Sequence, residues 1–213
     1  MRLHEILTED YDDEEEHWDK SVLKQIAPDN FTSHVDKLRK DPKHKHLGQG
    51  SYSYVHQHDD EPGVVHKVSR KEDPSHEFFK WMSKNESLAN NPFFPKIHST
   101  KSAGSHKHMT VEPLVKLKNG PVNDQKFLKA LWTELFGPPT KPVTMQKIID
   151  AMGHLVHQNK IGLAQSPRLK QALNAIVTYC DENNVSPDII TDDNYMWRMV
   201  GNKPQLVFSD PVA

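Results

Sequence analysis

One stretch constrains the fold more than any other: residues 47–67, LGQGSYSYVHQHDDEPGVVHK. Segments of alternating polarity flank the glycines at 48 and 50. Asp59-Asp60-Glu61-Pro62-Gly63 then makes a tight turn before Val64-Val65-His66-Lys67. Alternation bounded by such turn residues predicts two or three antiparallel strands over residues 46–70. Asp73 followed by Pro74 reads as an N-cap and a first helical residue. The helix it opens, carrying Phe78, Phe79 and Met82, is expected to run on to Asn90. Strands are expected again at 96–99 and 108–112, which completes a β-β-β-α-β-β order.

Beyond Pro113 the periodicity becomes helical. Asp124, Thr144 and Ser166 each precede an apolar stripe of period three to four. Val143 and Ile148 are spaced for a hydrophobic staple. The third stripe, Leu169, Ala172, Leu173, Ile176, Val177 and Cys180, places that cysteine in the core. A hairpin is expected over 195–209, turning at Gly201-Asn202. The reading is an α+β chain in three parts: an acidic, partly helical arm (1–45), a sheet-rich part (46–115) and a helical part with a terminal hairpin (116–213).

Composition narrows the function classes. Net charge is −2 over 213 residues, which offers no global support for nucleic-acid binding. Mean hydropathy is −0.75, and no apolar run approaches the roughly 18 residues of a membrane span. The polar, acidic start does not read as a signal peptide. A single cysteine fits a reducing compartment. The acidic run at 9–16, EDYDDEEE, reads as a solvated arm or as a contact for a basic partner. The pairs His44/His46, His56/His58 and His106/His108 lack a third ligand at fixed spacing, so they are expected to be surface histidines.

Several residues carry chemistry. Gly48-x-Gly50-x-x-Ser53-x-Val55 would let the backbone approach phosphate oxygens, with Val55 covering one face of a base. Lys67 ends a half-buried strand and requires an anionic partner. A phosphate or a helix carboxylate would serve, Glu77 being preferred to Glu86. Asn194 and Asp210 lie at the two ends of the expected hairpin, which would bring two oxygen ligands together as a hard cation requires. A catalytic base is less plainly placed. The position five before Asn194 is Ile189, and Asp188, Asp192 and Asp193 are the candidates.

These motifs resemble the protein kinases encoded by tailed bacteriophages, including the early Ser/Thr kinases of short-tailed coliphages. The likeness runs from His46 to the C-terminus through LGQGSYSYVHQH, VVHKVSRKED and NYMWRMVGNKPQLVFSDPVA. It implies a protein-kinase-like fold, with an antiparallel β small lobe bearing one helix and a truncated, mostly helical large lobe. It implies ATP and magnesium as cofactors and transfer to protein Ser/Thr hydroxyls in the cytoplasm of an infected bacterium. A host or phage protein would be the partner. Gly48, Gly50 and Lys67 would meet phosphates, Asn194 and Asp210 magnesium, and backbone from Glu112 to Leu114 the adenine. Asp188 would be the base. The chain departs from the kinase pattern in its catalytic-loop spacing, in lacking the His-Arg pair, and in ending three residues after Asp210. These departures keep a second reading open, a kinase-derived binding module without catalysis, and a third, a structural protein with no nucleotide role.

Overall fold

A computed structural model of the chain describes residues 31–104 and 106–213. The acidic run and the helical spacing read between Trp18 and Ile26 lie outside the described residues. What is described is α+β, with one five-stranded antiparallel sheet, one three-stranded sheet and six α-helices.

The five-stranded sheet is built from β1 (His44–Gln49), β2 (Ser53–His58), β3 (Val65–Arg70), β4 (Ile97–Ala103) and β5 (His106–Val111), in the order β1-β2-β3-β5-β4. Its first helix, α1 (Phe31–Lys40), buries Val35 and Leu38 against Tyr54 and Val68, a small cluster separate from the main core. The second, α2 (Pro74–Ser83), starts where Asp73 accepts hydrogen bonds from the Ser75 and His76 amides. The expected helix to Asn90 is interrupted. Asn85 takes an extended conformation and its side chain caps a separate short helix, α3 (Glu86–Ala89), through Ser87 and Leu88. A capping side chain here outcompetes continued helix.

The remaining helices are α4 (Gln125–Phe136), α5 (Met145–His157) and α6 (Pro167–Asn183). Asp124, Thr144 and Ser166 cap them. Leu128, Leu135, Ile148, Met152, Leu169 and Leu173 fill the space between them. Phe78, Phe79 and Met82 of α2 belong to the same cluster, and Phe78 meets the Tyr179 ring edge-on at 5.3 Å. The core is therefore continuous from α2 into the helical part. The second sheet, β6 (Val115–Lys116), β7 (Tyr195–Val200) and β8 (Lys203–Phe208), is antiparallel, with Trp197 at its centre. No helix among the described residues is long and apolar enough to cross a membrane.

Candidate functional site

Lys67 lies on β3 opposite Val55 of β2 and Met109 of β5. Its Nζ is 3.1 Å from Asp210 Oδ1 and 3.3 Å from Asp73 Oδ2. The residue is 6 % exposed and Asp73 3 %. Burial works against the ammonium charge, but Asp210 and then Asp73 hold the Lys67 pKa above its ordinary value. Burial likewise opposes the Asp73 carboxylate, yet Lys67 keeps it below the usual carboxylate range. Each charge is the reason the other can stay in the interior.

The helix carboxylate at Lys67 is thus Asp73, which the sequence reading treated only as a cap. The expected Glu77–Lys67 pair is not formed. Glu77 points to Lys107, with 2.8 Å between the charged groups. Glu77 lies about one turn further along α2 than the cap, and of the two acids only the cap residue reaches Lys67.

Asp210 follows β8 directly. Ser209 N–H donates to Asn194 O at 2.8 Å, tying the segment before Asp210 to the turn before β7. Asn194 Nδ2 donates to Asp188 O at 2.7 Å and closes the 188–194 loop. Its Oδ1 remains as an oxygen donor. Asp188 N–H donates to Pro211 O at 2.8 Å, and Ser186 and Ala213 exchange two backbone hydrogen bonds of 2.9 Å. The 186–188 segment and the 211–213 segment therefore run antiparallel, which sets Asp188 against Pro211, the residue after Asp210. Ile189, at the spacing where an acid was sought, is buried, and Tyr195 OH donates to its carbonyl. Asp192 and Asp193 sit exposed on a 3-10 turn.

The glycine segment lies in the same sheet, two strands from Lys67. Gly48 pairs with Val55, and Gly50 N–H donates to Ser53 O at 2.9 Å. A Cβ at Gly48 would come no nearer than 3.7 Å to Lys116 Nζ, and one at Gly50 no nearer than 3.6 Å to Ser53 Oγ. Those are ordinary contacts, and neither glycine has positive φ. The chain's own packing does not demand glycine at 48 or 50.

Residues 112–114 link the two sheets. The Glu112 side chain faces away from a base-binding role: it accepts from Arg198 Nε and Nη2, while the same guanidinium donates to Pro92 O at 2.9 Å and to Phe94 O at 2.6 Å. Glu112 also accepts from Lys96 N–H at 2.8 Å. Leu114 is half-buried just before β6. Sequence reasoning did not single out Arg198, and no local motif marks it.

The residues expected to hold a cation supply two side chains, Asn194 and Asp210. No group of three or more His, Cys, Asp or Glu side chains among the described residues is arranged to hold a metal ion. Two oxygen donors suit a cation such as magnesium, which keeps several waters or phosphate oxygens of its own. A recess of about 530 Å³, bounded by Met82, Ala89, Pro92, Ile97, Arg198 and Val200, shares no residue with the Lys67 group. Its ionisable lining, Lys96, His98 and Arg198, includes no carboxylate, so the buried Lys67–Asp73–Asp210 group and not this recess defines the candidate site.

The paired histidines divide: His46 is exposed as expected, whereas His56 and His106 are 3 % and 2 % exposed and are not surface residues, and His66, outside those pairs, is buried too. Cys180 is buried in the α6 stripe, as its position suggested, and burial pushes its thiol up to about 11. Compared with known proteins, the chain matches no family model and no curated protein.

Proposed function

We propose that this chain is a protein-kinase-like protein that binds ATP with magnesium and transfers the γ-phosphate to Ser/Thr hydroxyls of a protein. The observation that carries the reading is the Lys67–Asp210 contact of 3.1 Å across 143 residues of sequence. It joins a sheet lysine to an acid that follows a hairpin, in the same sheet as a segment whose two glycines the fold does not itself require. A buried cation beside a half-exposed carboxylate is the pairing that phosphoryl transfer uses, one part for phosphate charge and one for metal.

In this reading Gly48, Gly50 and Ser53 present backbone to the phosphates, and Val55 covers the base. Lys67 neutralises phosphate oxygens while Asp73 holds its ammonium in place. Asn194 Oδ1 and the outer oxygen of Asp210 would hold magnesium, which supplies charge neutralisation at the phosphates. Backbone at 112–114 meets the adenine edge. Asp188 accepts the proton as the substrate oxygen bonds to the γ-phosphorus and the bond to the β-phosphate oxygen breaks, leaving ADP. Of the candidate acids, Asp188 is the one tied to both Asn194 and Pro211.

The unusual loop, with Ile189 buried where an acid was sought, favours the second reading of a nucleotide-binding module without turnover. One pair of measurements separates them. Magnesium-dependent transfer of labelled γ-phosphate, lost in Asp210→Ala, supports the kinase. A rise in melting temperature with ATP and magnesium but no transfer supports the module. Neither a rise nor transfer refutes both.

A further inference from the structure

Lys67 pairs with Val55 and Met109, so it projects from one face of the five-stranded sheet. The intervening residues project from the other. That other face is an array of imidazoles. His56 lies between His46 of β1 and His66 of β3 in the ladder, and stacks on His66 with ring centroids 5.1 Å apart. His44 Nδ1 is 3.0 Å from His56 Nδ1, and His66 Nδ1 is 3.3 Å from His108 Nε2.

Hydrogen-bond chemistry assigns the protons in these pairs. Glu61 Oε2 lies 2.8 Å from His66 Nε2. A carboxylate can only accept, so His66 Nε2 carries the proton and its Nδ1 must accept from His108. Asp41 Oδ2 lies 3.6 Å from His44 Nε2, an ion-pair distance that favours a proton on that nitrogen and so leaves His44 Nδ1 to accept from His56. Glu61–His66–His108 is a hydrogen-bonded carboxylate–His–His relay, and Asp41–His44–His56 follows the same order with an ion-pair contact as its first step. A second proton on His44 or His66 would turn its accepting nitrogen into a donor facing another donor.

Helix α1 is seated on this face. His34 stacks on His106 at 5.8 Å, and Phe31 meets the same ring edge-on at 5.7 Å. Val35 and Leu38 pack on Tyr54, which itself stacks on His46 at 5.0 Å. A ten-residue helix has little stability without such a seat.

We propose that this face is an acid-sensitive latch, holding α1 on the sheet at neutral pH and releasing it on mild acidification, as protonation breaks the His34–His106 stack and loosens the two relays between the strands that carry its seat. The surrounding charges bear on it from every side. Asp41 and Glu61 favour protonation of His44 and His66, and Asp59 adds to this at His44. Against them stand burial and neighbouring cations or imidazoles: Lys37 of α1 at His34, and Lys101 of β4 with His76 of α2 at His108. Arg39 and Arg70 lie over the Tyr54 and Phe31 rings at the rim. Burial, then the adjacent imidazoles, pushes His56 down to about 2 and His34 to about 4. Protons that the closed face refuses are taken up when it opens, so acid favours opening.

Amide exchange of the full chain tests this. After correction for intrinsic exchange, the opening constant of the α1 amides should rise about tenfold or more between pH 7 and pH 5.5, with α6 staying better protected throughout. His34→Gln/His56→Gln keeps a neutral donor at both positions and should hold the rise to about threefold or less. An undiminished rise in that variant overturns the latch, as does a single opening constant shared by α1 and α6. Nitrogen shifts of the wild-type imidazoles at pH 7.5 provide a check independent of any variant. Nε2–H tautomers at His44 and His66 are expected, and Nδ1–H or charged rings there overturn the relays.

Discussion

Lys67 Nζ lies 3.3 Å from Asp73 Oδ2, while Asp73 Oδ1 caps α2 by accepting from the Ser75 and His76 amides. One carboxylate therefore starts the helix and neutralises the buried lysine. Position and charge at the candidate phosphate site are coupled through a single side chain.

Removing the lysine alone should be costly, because it strands Asp73 in the interior. Lys67→Met is expected to lose about 3–5 kcal/mol in urea unfolding, the range for breaking a buried pair. Lys67→Met/Asp73→Asn should recover much of that, since Asn still caps the helix. Glu77→Gln should cost about 1 kcal/mol or less, being a half-exposed pair with Lys107. A Glu77 effect as large as that of Lys67 would contradict the pairing.

Asn194→Asp should impair function more than folding. The substitution loses the Nδ2 donor to Asp188 O and places an anion against that carbonyl. Nucleotide-dependent stabilisation in magnesium should fall, while the urea midpoint changes by no more than about 2 kcal/mol equivalent. Retained stabilisation by ATP and magnesium would remove Asn194 from the site.

Arg198 joins β7 to Glu112 and to the Pro92 and Phe94 carbonyls. A lysine cannot reproduce that planar fork. Arg198→Lys is expected to cost about 2–4 kcal/mol in urea unfolding, with hydrogen exchange quickening in 92–97 and 112–116. Wild-type exchange there would show that the fork is not what holds the link between the sheets.

A Cβ at Gly120 would meet Trp197 Cδ1 at 2.1 Å and Nε1 at 2.3 Å. Those ring atoms are buried and cannot yield cheaply. Gly120→Ala should destabilise by about 1–3 kcal/mol, the usual range for overpacking, and change the near-ultraviolet dichroism of tryptophan. An unchanged spectrum and midpoint would mean that the β6–α4 connection adapts freely.

Acid should weaken the whole fold. Burial, then His66 and His44, pushes His56 down to about 2, whereas the unfolded chain titrates near its ordinary value of about 6.5. The neutral folded form gives its full contribution above that ordinary value. As pH falls below it, the unfolded chain binds a proton that the folded chain refuses, and stability declines until the folded pKa is reached. Such a group removes up to about 1.4 kcal/mol per pH unit. Urea midpoints should fall steadily from pH 7 to pH 5, and a flat profile would refute the burial of these rings in solution.

Much of the backbone was legible in the chain. Asp73, Asp124, Thr144 and Ser166 were readable as caps because a cap acts on amides two or three residues away. The strands expected over 46–70 and the hairpin expected over 195–209 followed from alternation and turn residues, and they form at 44–70 and 195–208. The one break in a helix that was missed, at Asn85, also has a local cause, its side chain bonding Ser87 and Leu88. Lys67, Asn194 and Asp210 were identifiable as residue types at meaningful spacings, and two of the three are in direct contact.

Which groups actually meet was decided by the tertiary structure. Nothing in the spacing says that Asp73 and not Glu77 turns toward Lys67, since that depends on how α2 is rotated against the sheet by Phe78, Phe79 and Met82. Arg198 finds Glu112 across 86 residues and Pro92 across 106. His56 and His106 read as surface because their burial comes from neighbouring strands and from α1. Caps, turns and periodicity act over a few residues and are written in order along the chain. Ion pairs and imidazole stacks depend on which layers pack together and in what register, and that is settled only when the whole apolar core closes.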